Sequence, residues 1–171
     1  MRFVITLTRA PGWQSGCRTM RIGVISDTHG LLRPEALKEL RGAEHILHAG
    51  DVGSPDILDA LRELAPVSAI RGNVDDAGPC RHLPPTELVE LAGHDIYMLH
   101  DVHMLDLNPE AAGISAIVFG HSHKPMIERR RGVLFVNPGS AGPRRFQLPV
   151  TLAWLKIEAS GLSARIVHLD I

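Results

Sequence analysis

Aromatic residues and cysteines are scarce in this sequence, and long apolar or basic runs are missing. One Tyr, two Trp and four Phe stand against ten His among the 171 residues, a balance that favours metal chemistry over aromatic stacking. The two cysteines, Cys17 and Cys80, have no CxxC partner, which excludes a zinc–thiolate site and a disulfide framework. We expect both to be unpaired thiols in a reducing cytoplasm.

An excess of charge of either sign is missing as well. The formal net charge is -1. The longest basic cluster, Arg129–Arg131, precedes Gly132 and is predicted to form a turn between strands, so an extended nucleic-acid interface is not expected. No apolar stretch reaches the ~20 residues of a membrane span, so no membrane association is expected. A hydrophobic fraction of 44% and a charged fraction of 22% fit one globular domain.

The N-terminal segment, residues 1–19, is unlike the rest of the chain. Its apolar piece, Phe3–Leu7, is too short for the apolar core of a secretory signal. Met20 directly precedes a clean strand pattern, Arg21–Ser26. We therefore predict that residues 1–19 are a poorly ordered extension or result from an upstream start, and that residues 20–171 form a single domain.

Short apolar runs alternate with helix signals in the first half of the chain. Pro34 opens one helix, which ends before Gly42, while Ser54 and Pro55 open a second helix that ends at Pro66. The alternation implies parallel strands joined by right-handed crossovers. The strands predicted here are Ile22–Ile25, Ile46–Ala49 and Val67–Ile70.

The second half consists mainly of strand patterns with little room for helices. Hairpin turns are expected at Gly93-His94 and at Ser160-Gly161. A mixed sheet packed on a second, more antiparallel sheet, with helices outside, fits this pattern. The predicted strands are Glu87–Leu91, Ile96–Leu99, Ala116–Phe119, Val133–Val136, Thr151–Ile157 and Leu162–Val167.

Polar residues of the types that bind metals follow several of these apolar runs directly. Such an order indicates strands that deliver ligands to one edge of a sheet. Carboxylate, imidazole and amide groups suit a divalent ion, and two ions about 3.5–4 Å apart share a carboxylate and usually serve phosphate-ester hydrolysis. Glycines before three of the ligands, Gly50, Gly72 and Gly120, let the backbone approach closely. The candidate metal ligands are Asp27, His29, Asp51, Asn73, His100, His121 and His123.

The ordered set of motifs resembles the calcineurin-like metallophosphoesterases, most closely their small single-domain prokaryotic phosphodiesterase branch. The resemblance extends from Met20 to the C-terminus. It implies an α/β fold, in mixed α+β form, built as a four-layer αββα sandwich of two mixed β-sheets flanked by helices. The motifs that carry it are Ser26–His29, His48–Asp51, Gly72–Asp75, Leu99-His100, Gly120–His123 and Asn137–Ser140.

The resemblance also implies a division of the ligands between two divalent ions. Asp27, His29 and His123 would hold the first ion, and Asn73, His100 and His121 the second, with Asp51 as the bridge. Mn²⁺ is the favoured ion, and Fe, Zn, Ni and Co are alternatives. Asp51, Asn73 and His100 would take part in catalysis through metal-bound water and phosphate positioning, with a bridging hydroxide as the nucleophile.

Two positions depart from the family pattern. Val74 follows Asn73, where many members carry a His that acts as general acid or phosphate binder, which indicates a preference for good leaving groups. Asp101 follows His100 in place of the usual Gly, and we expect it to alter substrate access or hydrogen-bond to a ligand. His103 is an alternative ligand in a shifted register, but His100 ends the apolar run and is preferred.

The remaining histidines and arginines are assigned mainly to structure. His48 is predicted to be buried and to support the site. Solvated surface positions are favoured over phosphate contacts for the arginines. The histidines predicted at the surface or in turns are His45, His82, His94 and His168, and the arginines are Arg71, Arg144 and Arg145.

Three functions remain open from the sequence. The leading hypothesis is a metal-dependent phosphodiesterase acting on a small phosphate ester, and a phosphomonoesterase or nucleotidase is close to it. The alternative from another class is a non-catalytic scaffold, as in the eukaryotic retromer subunit that resembles this family. Cyclic nucleotides, other nucleotide-derived diesters and small phosphorylated metabolites all fit such a site. A homo-oligomer is compatible with the sequence.

Overall fold

Two mixed β-sheets, of six and five strands, form the centre of the molecule in the computed structural model, which describes residues 7–9 and 19–171. Two α-helices, α1 (Pro34–Glu39) and α2 (Pro55–Arg62), and a 3₁₀-helix (Val102–Met104) complete the elements of the described part. The strands are β1 (Leu7–Arg9), β2 (Met20–Ile25), β3 (His45–His48), β4 (Val67–Ala69), β5 (Thr86–Leu91), β6 (His94–Leu99), β7 (Ala116–Val118), β8 (Met126–Arg130), β9 (Val133–Asn137), β10 (Thr151–Glu158) and β11 (Gly161–His168).

The five-stranded sheet has the order β11-β10-β2-β3-β4. Strands β2, β3 and β4 are parallel, joined through α1 and α2 as the sequence predicted, while β10 pairs antiparallel with β2 and β11. Helix α2 buries Ile57, Leu58 and Leu61, the stripe expected of an amphipathic helix. Ser54 occupies the N-cap with extended backbone, but its side chain makes no capping hydrogen bond, contrary to the expected hydroxyl cap.

The six-stranded sheet has the order β1-β5-β6-β7-β9-β8. Its central strands β6, β7 and β9 are parallel, whereas β5 and β8 pair antiparallel with β6 and β9. Strand β8 was not foreseen, and it includes Arg129 and Arg130. The turn predicted over the arginine cluster is therefore confined to Arg131 and Gly132.

The sheets pack face to face, which confirms the four-layer architecture. Apolar side chains such as Ile22, Met98 and Leu155 fill the space between them. Both α-helices cover the outer face of the five-stranded sheet. In the part of the chain that the structure describes, the outer face of the six-stranded sheet is covered by the 3₁₀-helix and irregular segments, including Val102 and Ile114, in place of an α-helix.

One prediction about the histidines is wrong. His45 is buried, not at the surface, because it opens β3 and its Nε2 lies 3.0 Å from the Ser68 hydroxyl of β4. The other three behave as expected for surface or turn residues, since His82 and His168 are exposed and His94 is half-buried at a hairpin. The pairing of β3 with β4 buries His45. The strand predicted from the sequence began one residue later, at Ile46, and therefore left His45 outside the sheet.

Most of the N-terminal segment lies outside the described residues, and so does Cys17. The poorly ordered extension and the single domain over residues 20–171 therefore stay predictions. Strand β1 is the described exception, since it pairs parallel with β5. Cys80 is buried and free, as predicted. Over residues 7–9 and 19–171, no helix has both the length and the apolar character needed to span a membrane.

Candidate metal centre

The candidate ligands lie just beyond the C-terminal ends of five strands, β2, β3, β4, β6 and β7. Three of these strands belong to one sheet and two to the other. The expectation of a single sheet edge is therefore wrong. Within each sheet the ligand-bearing strands are parallel, so their C-terminal ends share an edge, and face-to-face packing brings the two edges together.

Asp27, His29 and His123 form the first group that the structure brings together. Nε2 of His123 lies 3.2 Å from Oδ1 of Asp27 and 3.3 Å from Nε2 of His29. The two imidazoles are stacked with centroids 5.2 Å apart. These are the residues that the family resemblance assigns to the first ion, and the side chains of Asp27 and His123 are almost fully buried.

Asp51 lies between this group and His100. Its Oδ2 is 3.8 Å from Nε2 of His29 and 3.3 Å from Nε2 of His100. The backbone N–H of Val74 donates to the other oxygen, Oδ1, at 2.9 Å. With one carboxylate oxygen close to both groups, Asp51 occupies the position that a bridging ligand requires. Asp27, Asp51 and His100 also form a compact group of their own.

Asn73 and His121 stand at the outer side of the centre. Nδ1 of His121 is 3.1 Å from Oδ1 of Asn73, and the His121 and His100 ring centroids are 5.3 Å apart. The His121 side chain is 47% exposed, so this end of the centre is open to solvent. All the candidate ligands thus adjoin one another, while their assignment to individual ions stays a prediction.

Unpartnered buried atoms show that the centre fits a cation. Nδ1 of His100 lies 2.7 Å from the carbonyl oxygen of Ala49 and donates its hydrogen there, so Nε2 presents a lone pair towards Asp51 unless it is protonated. Opposed lone pairs on nitrogen and carboxylate oxygen repel, whereas a divalent ion between them would bind both. The buried side-chain atoms without a hydrogen-bond partner among the described residues are Asp27 Oδ1, His100 Nε2 and His123 Nδ1.

The pKa values are consistent with a site built for positive charge. Burial alone would lower the pKa of His100, but the Asp51 carboxylate and the Ala49 carbonyl raise it above its ordinary value. Burial would raise the pKa of Asp51, yet His100 and the Val74 N–H lower it. Burial lowers the pKa of His29, which favours the neutral imidazole that a metal ligand must be. The Asp51 carboxylate thus favours positive charge at His100, which is the charge that a metal ion would supply there.

The backbone at the ligands adopts an uncommon conformation. Left-handed φ angles cost L-residues roughly 1–2 kcal/mol each, and such strain concentrates at functional sites. Eight non-glycine residues of the described chain have positive φ, and five of them are candidate ligands. Those five are Asp27 (55°), His29 (47°), Asp51 (54°), His121 (67°) and His123 (58°).

Close backbone approach explains the glycines that precede ligands. A Cβ added to Gly120 would overlap the Ser26 hydroxyl and lie 2.7 Å from Oδ2 of Asp27, a contact that real side chains do not make. A Cβ added to Gly72 would likewise overlap the Asp51 carboxylate. The structure shows close backbone approach to the acidic ligands at these glycines, while their predicted role in approach to the metals stays a prediction.

Asp75 is the positioning residue for which the sequence predicted no role. It is 1% exposed, and its carboxylate accepts hydrogen bonds from the backbone N–H groups of Val52 (3.0 Å), Gly53 (2.8 Å) and Gly72 (2.9 Å). It thereby ties the loop after Asp51 to the loop that carries Asn73. Its place two residues after Asn73 in the recognised motif was the available signal.

His48 lies beneath the centre, as predicted. It is fully buried, and burial lowers its pKa to about 4, so it is neutral. The backbone N–H of Gly50 donates to Nδ1 at 3.3 Å, which leaves Nε2–H to donate to Oγ1 of Thr28 at 2.9 Å. Thr28 in turn donates to the carbonyl of Val52 at 3.0 Å. This chain of bonds links the ligand loops of β2 and β3.

The two residues that depart from the family pattern, Val74 and Asp101, lie at the rim of the metal centre. Val74 is 46% exposed. Oδ2 of Asp101 is 3.9 Å from Nε2 of His121, close enough for charge interaction but too far for a hydrogen bond. His103 is exposed on the 3₁₀-helix, where its N–H donates to Asp101, so the structure brings His100 and not His103 to the centre.

The three arginines differ in their surroundings. Arg71 pairs with Asp76 at 2.9 Å and donates to the Leu83 carbonyl, so it is a structural residue. Arg144 is exposed. Nη2 of Arg145 lies 3.4 Å from Nε2 of His29, at the metal centre. Arg145 is exposed like Arg144, so it is a surface residue as predicted, and it is the one that lies beside the centre.

Sequence comparison relates the chain to known phosphoesterases. Residues 20–160 match the family model described as the calcineurin-like phosphoesterase superfamily domain. A probable metallophosphoesterase from Methanothermobacter thermautotrophicus is 36% identical over 165 residues, which cover 87% of this chain and 92% of that protein. A phosphodiesterase from Methanocaldococcus jannaschii is 26% identical over 139 residues, which cover 70% of this chain and 83% of that protein.

Structural comparison points to the same fold. Vacuolar protein sorting 29 from Cryptosporidium parvum superposes with a TM-score of 0.69, covering 90% of this chain and 99% of that one. The sequence identity is 17%, so the likeness shows the fold alone. It therefore does not decide between a catalytic and a non-catalytic use of the centre.

Proposed function

The chain belongs to the calcineurin-like phosphoesterase superfamily, as its ordered motifs predicted, and from that premise we propose that it is a phosphodiesterase dependent on two divalent metal ions. The convergence of carboxylate, imidazole and amide groups from five strands on a centre with unpartnered buried atoms carries the proposal. Mn²⁺ is our preferred ion, with Fe, Zn, Ni and Co as alternatives, because this donor set suits all of them.

The protein's own part is to hold the ligands in place. When bound, the two ions would supply activation of water and neutralisation of charge on the phosphoryl oxygens. Oδ2 of Asp27 accepts from the Ser26 hydroxyl at 2.6 Å and from the His121 N–H at 3.2 Å, which leaves Oδ1 for an ion. The Ala49 carbonyl fixes the His100 ring in the same manner. Such support removes the cost of ordering the ligands when an ion binds.

Two rim residues bear on the choice of substrate. Val74 has no proton to give, so a good leaving group is favoured in a monoester and in a diester alike. The Asp101 carboxylate adds negative charge beside His121. A monoester, whose second pKa is about 6, carries nearly two negative charges at neutral pH, and a diester carries one, so Asp101 repels the monoester more strongly. The relative that is a named phosphodiesterase supports the same preference.

The test measures metal content first and turnover second. Wild-type protein should bind two equivalents of Mn²⁺ per chain and hydrolyse bis(4-nitrophenyl) phosphate faster than 4-nitrophenyl phosphate. Asp51→Asn should lose the metal and at least about 100-fold of the turnover, because the shared carboxylate is gone. Asp59→Asn is the matched control, since Asp59 is 70% exposed on α2 and pairs with Arg62, away from the metal centre.

Each alternative corresponds to a distinct result. Faster hydrolysis of the monoester would replace the diester assignment with a phosphomonoesterase. Absence of bound metal and of turnover with any of the five ions would reject the enzyme and favour a scaffold. Asp101→Asn tests the charge argument, because it should raise monoester turnover relative to diester turnover by several-fold.

A further inference from the structure

The loop of residues 141–150 lies beside the metal centre, and backbone hydrogen bonds hold its base in place. The N–H of Thr151 donates to the carbonyl of Ser140 at 2.9 Å and closes the loop at its base. The N–H of Ala141 donates to the carbonyl of Ser26 at 3.1 Å, which fastens that base to the end of β2. The loop is therefore held next to the first ligands of the centre.

The tip of the loop carries two exposed arginines, Arg144 and Arg145. Nη2 of Arg145 lies 3.4 Å from Nε2 of His29, so its guanidinium reaches the centre itself. Guanidinium groups bind phosphate oxygens through paired N–H donors. The tip thus offers N–H groups that can donate hydrogen bonds to a phosphate. They belong to a residue that is not one of the candidate metal ligands.

The next residue, Phe146, has a backbone conformation that its side chain disfavours. The N–H of Leu148 donates to the carbonyl of Arg145 at 3.1 Å, which makes residues 145–148 a β-turn. Phe146, the first central residue, has a φ of 53°, whereas Gln147 does not have positive φ. This is the type II′ pattern, in which the first central position favours glycine.

The fold does not explain this strain. Of the eight non-glycine residues with positive φ in the described chain, five are candidate ligands. Ala92 and Arg131 precede glycines in two-residue hairpin turns, where positive φ is required. Phe146 is the remaining one, and its side chain is 94% exposed. A strained turn that holds an aromatic ring in solvent, beside a phosphate donor, indicates binding.

We propose that Phe146 stacks on a planar group of the substrate while Arg145 binds its phosphate, so that the substrate is a nucleotide-derived ester. Phe146 directly follows the residue whose guanidinium reaches the centre, and adjacent Cα atoms are about 3.8 Å apart, so the exposed ring is carried within one residue of that contact. Bases stack on aromatic rings irrespective of their identity, which makes the base class, not one base, the recognised feature. The assignment deepens the proposed function and rests on it.

The experiment compares two probes that differ in the base alone. Binding of adenosine 5′-monophosphate and of ribose 5-phosphate to the Mn²⁺-loaded protein is measured by calorimetry. Wild type should bind the nucleotide roughly 5- to 10-fold more tightly, the lower range for a base stacked on one exposed ring. Phe146→Ala should abolish the difference and Phe146→Trp should retain it. Arg145→Gln should weaken both probes about equally, because its contact is with phosphate.

Two further variants separate binding from folding. Gln147→Ala changes the other central residue of the same turn and leaves the Phe146 ring in place. This variant should still bind the nucleotide more tightly than ribose 5-phosphate. Phe146→Gly should lose the discrimination and unfold at the same or a higher temperature than wild type, because glycine relieves the turn. A ring that served only to pack the loop would give the opposite thermal result.

The outcomes distinguish this inference from the proposed function. Equal binding of the two probes to wild type, or discrimination that survives in Phe146→Ala, overturns the inference while diester hydrolysis stands. Absence of phosphate binding together with absence of aryl diester turnover overturns both.

Discussion

Histidines serve two opposite purposes in this molecule. At the centre, His29, His100 and His123 direct ring nitrogens at carboxylates and at one another, an arrangement that a cation would stabilise. Below the sheet edge, burial lowers the pKa values of His45 and His48 to about 4 and makes them neutral hydrogen-bonding groups. The environment that the fold creates, not the residue type, decides which purpose a histidine serves.

His45 should make folding stability depend on pH. Burial lowers the pKa of His45 to about 4, so below its ordinary value of 6.5 the unfolded chain takes up a proton that the folded chain does not. The stabilisation is complete above 6.5 and is lost as the pH falls towards 4. Relative to His45→Gln, metal-free wild type should lose about 2 kcal/mol between pH 7 and pH 4.5.

Urea unfolding at the two pH values, monitored by circular dichroism, measures this difference in stability. His168→Gln is the control for loss of an exposed imidazole. Parallel pH dependence of wild type and His45→Gln would contradict the prediction, since no proton uptake could then be assigned to this residue.

Asp75 should matter for metal binding without touching a metal. Its carboxylate accepts three backbone N–H groups that shape the loops of Asp51 and Asn73. Asp75→Ala should weaken Mn²⁺ binding roughly 10- to 100-fold, the usual effect of removing support behind a ligand. The neighbouring Asp76→Ala, which removes an exposed pair with Arg71, should leave the affinity within about twofold. Titration calorimetry with Mn²⁺ measures both, and equal affinities of the two variants would refute the positioning role.

Strand ends are the elements on which the site depends. After β3, β4 and β7, glycines at positions 50, 72 and 120 let neighbouring chains pass within contact of candidate ligands. The strands are short and buried, so their ends meet at the same edge wherever pairing is parallel. The positions of the ligands at the centre therefore depend both on the pairing register of the strands and on the turns that follow them.

Gly120→Ala tests this close approach. Its Cβ would collide with Ser26 and Asp27, so we expect a loss of roughly 1–3 kcal/mol in the free energy of unfolding, as for overpacking, and weaker Mn²⁺ binding. Gly78→Ala is the matched control, because its nearest contact would be an ordinary 3.6 Å from the Val74 carbonyl. Thermal and urea unfolding with and without Mn²⁺ measure both effects. An unchanged Gly120→Ala protein would show that the chain relaxes around the added methyl group.

At the scale of the whole molecule, the centre joins two sheets that pack against each other mainly through apolar side chains. β2, β3 and β4 supply Asp27, His29, Asp51 and Asn73, and β6 and β7 supply the remaining histidines. An ion bound between them would therefore act as a link across the sandwich. Its binding free energy would count towards the stability of both layers.

Hydrogen exchange should reveal this link. With free Mn²⁺ at about 100 times its dissociation constant, each bound ion should suppress global unfolding about 100-fold, equivalent to about 2.7 kcal/mol per ion. Exchange should slow in the ligand loops of both sheets together, around residues 26–31 and 49–54 in one sheet and 119–125 in the other. Asp51→Asn should show no slowing in either sheet. Protection confined to one sheet would exclude a shared centre.

The fold class and the candidate ligands followed from the sequence because both depend on local order. Apolar runs of strand length predicted the strands, and the residue after each run predicted a ligand, since a strand end is where a buried chain meets solvent. The same rule, that a ligand follows directly after an apolar run, favoured His100 over His103. Recognition of the motif order supplied the family, which the comparisons confirmed.

Other features depended on contacts between distant segments, which local pattern does not encode. The division of the ligands between two sheets arises from packing across the sandwich, whereas the burial of His45 against Ser68 and the three bonds of Asp75 arise between neighbouring strands and loops of one sheet. The approach of Arg145 to His29, 116 residues earlier in the chain, is of the same kind. Sequence thus determined which chemistry the chain carries, and tertiary packing decided where that chemistry meets and what lies beside it.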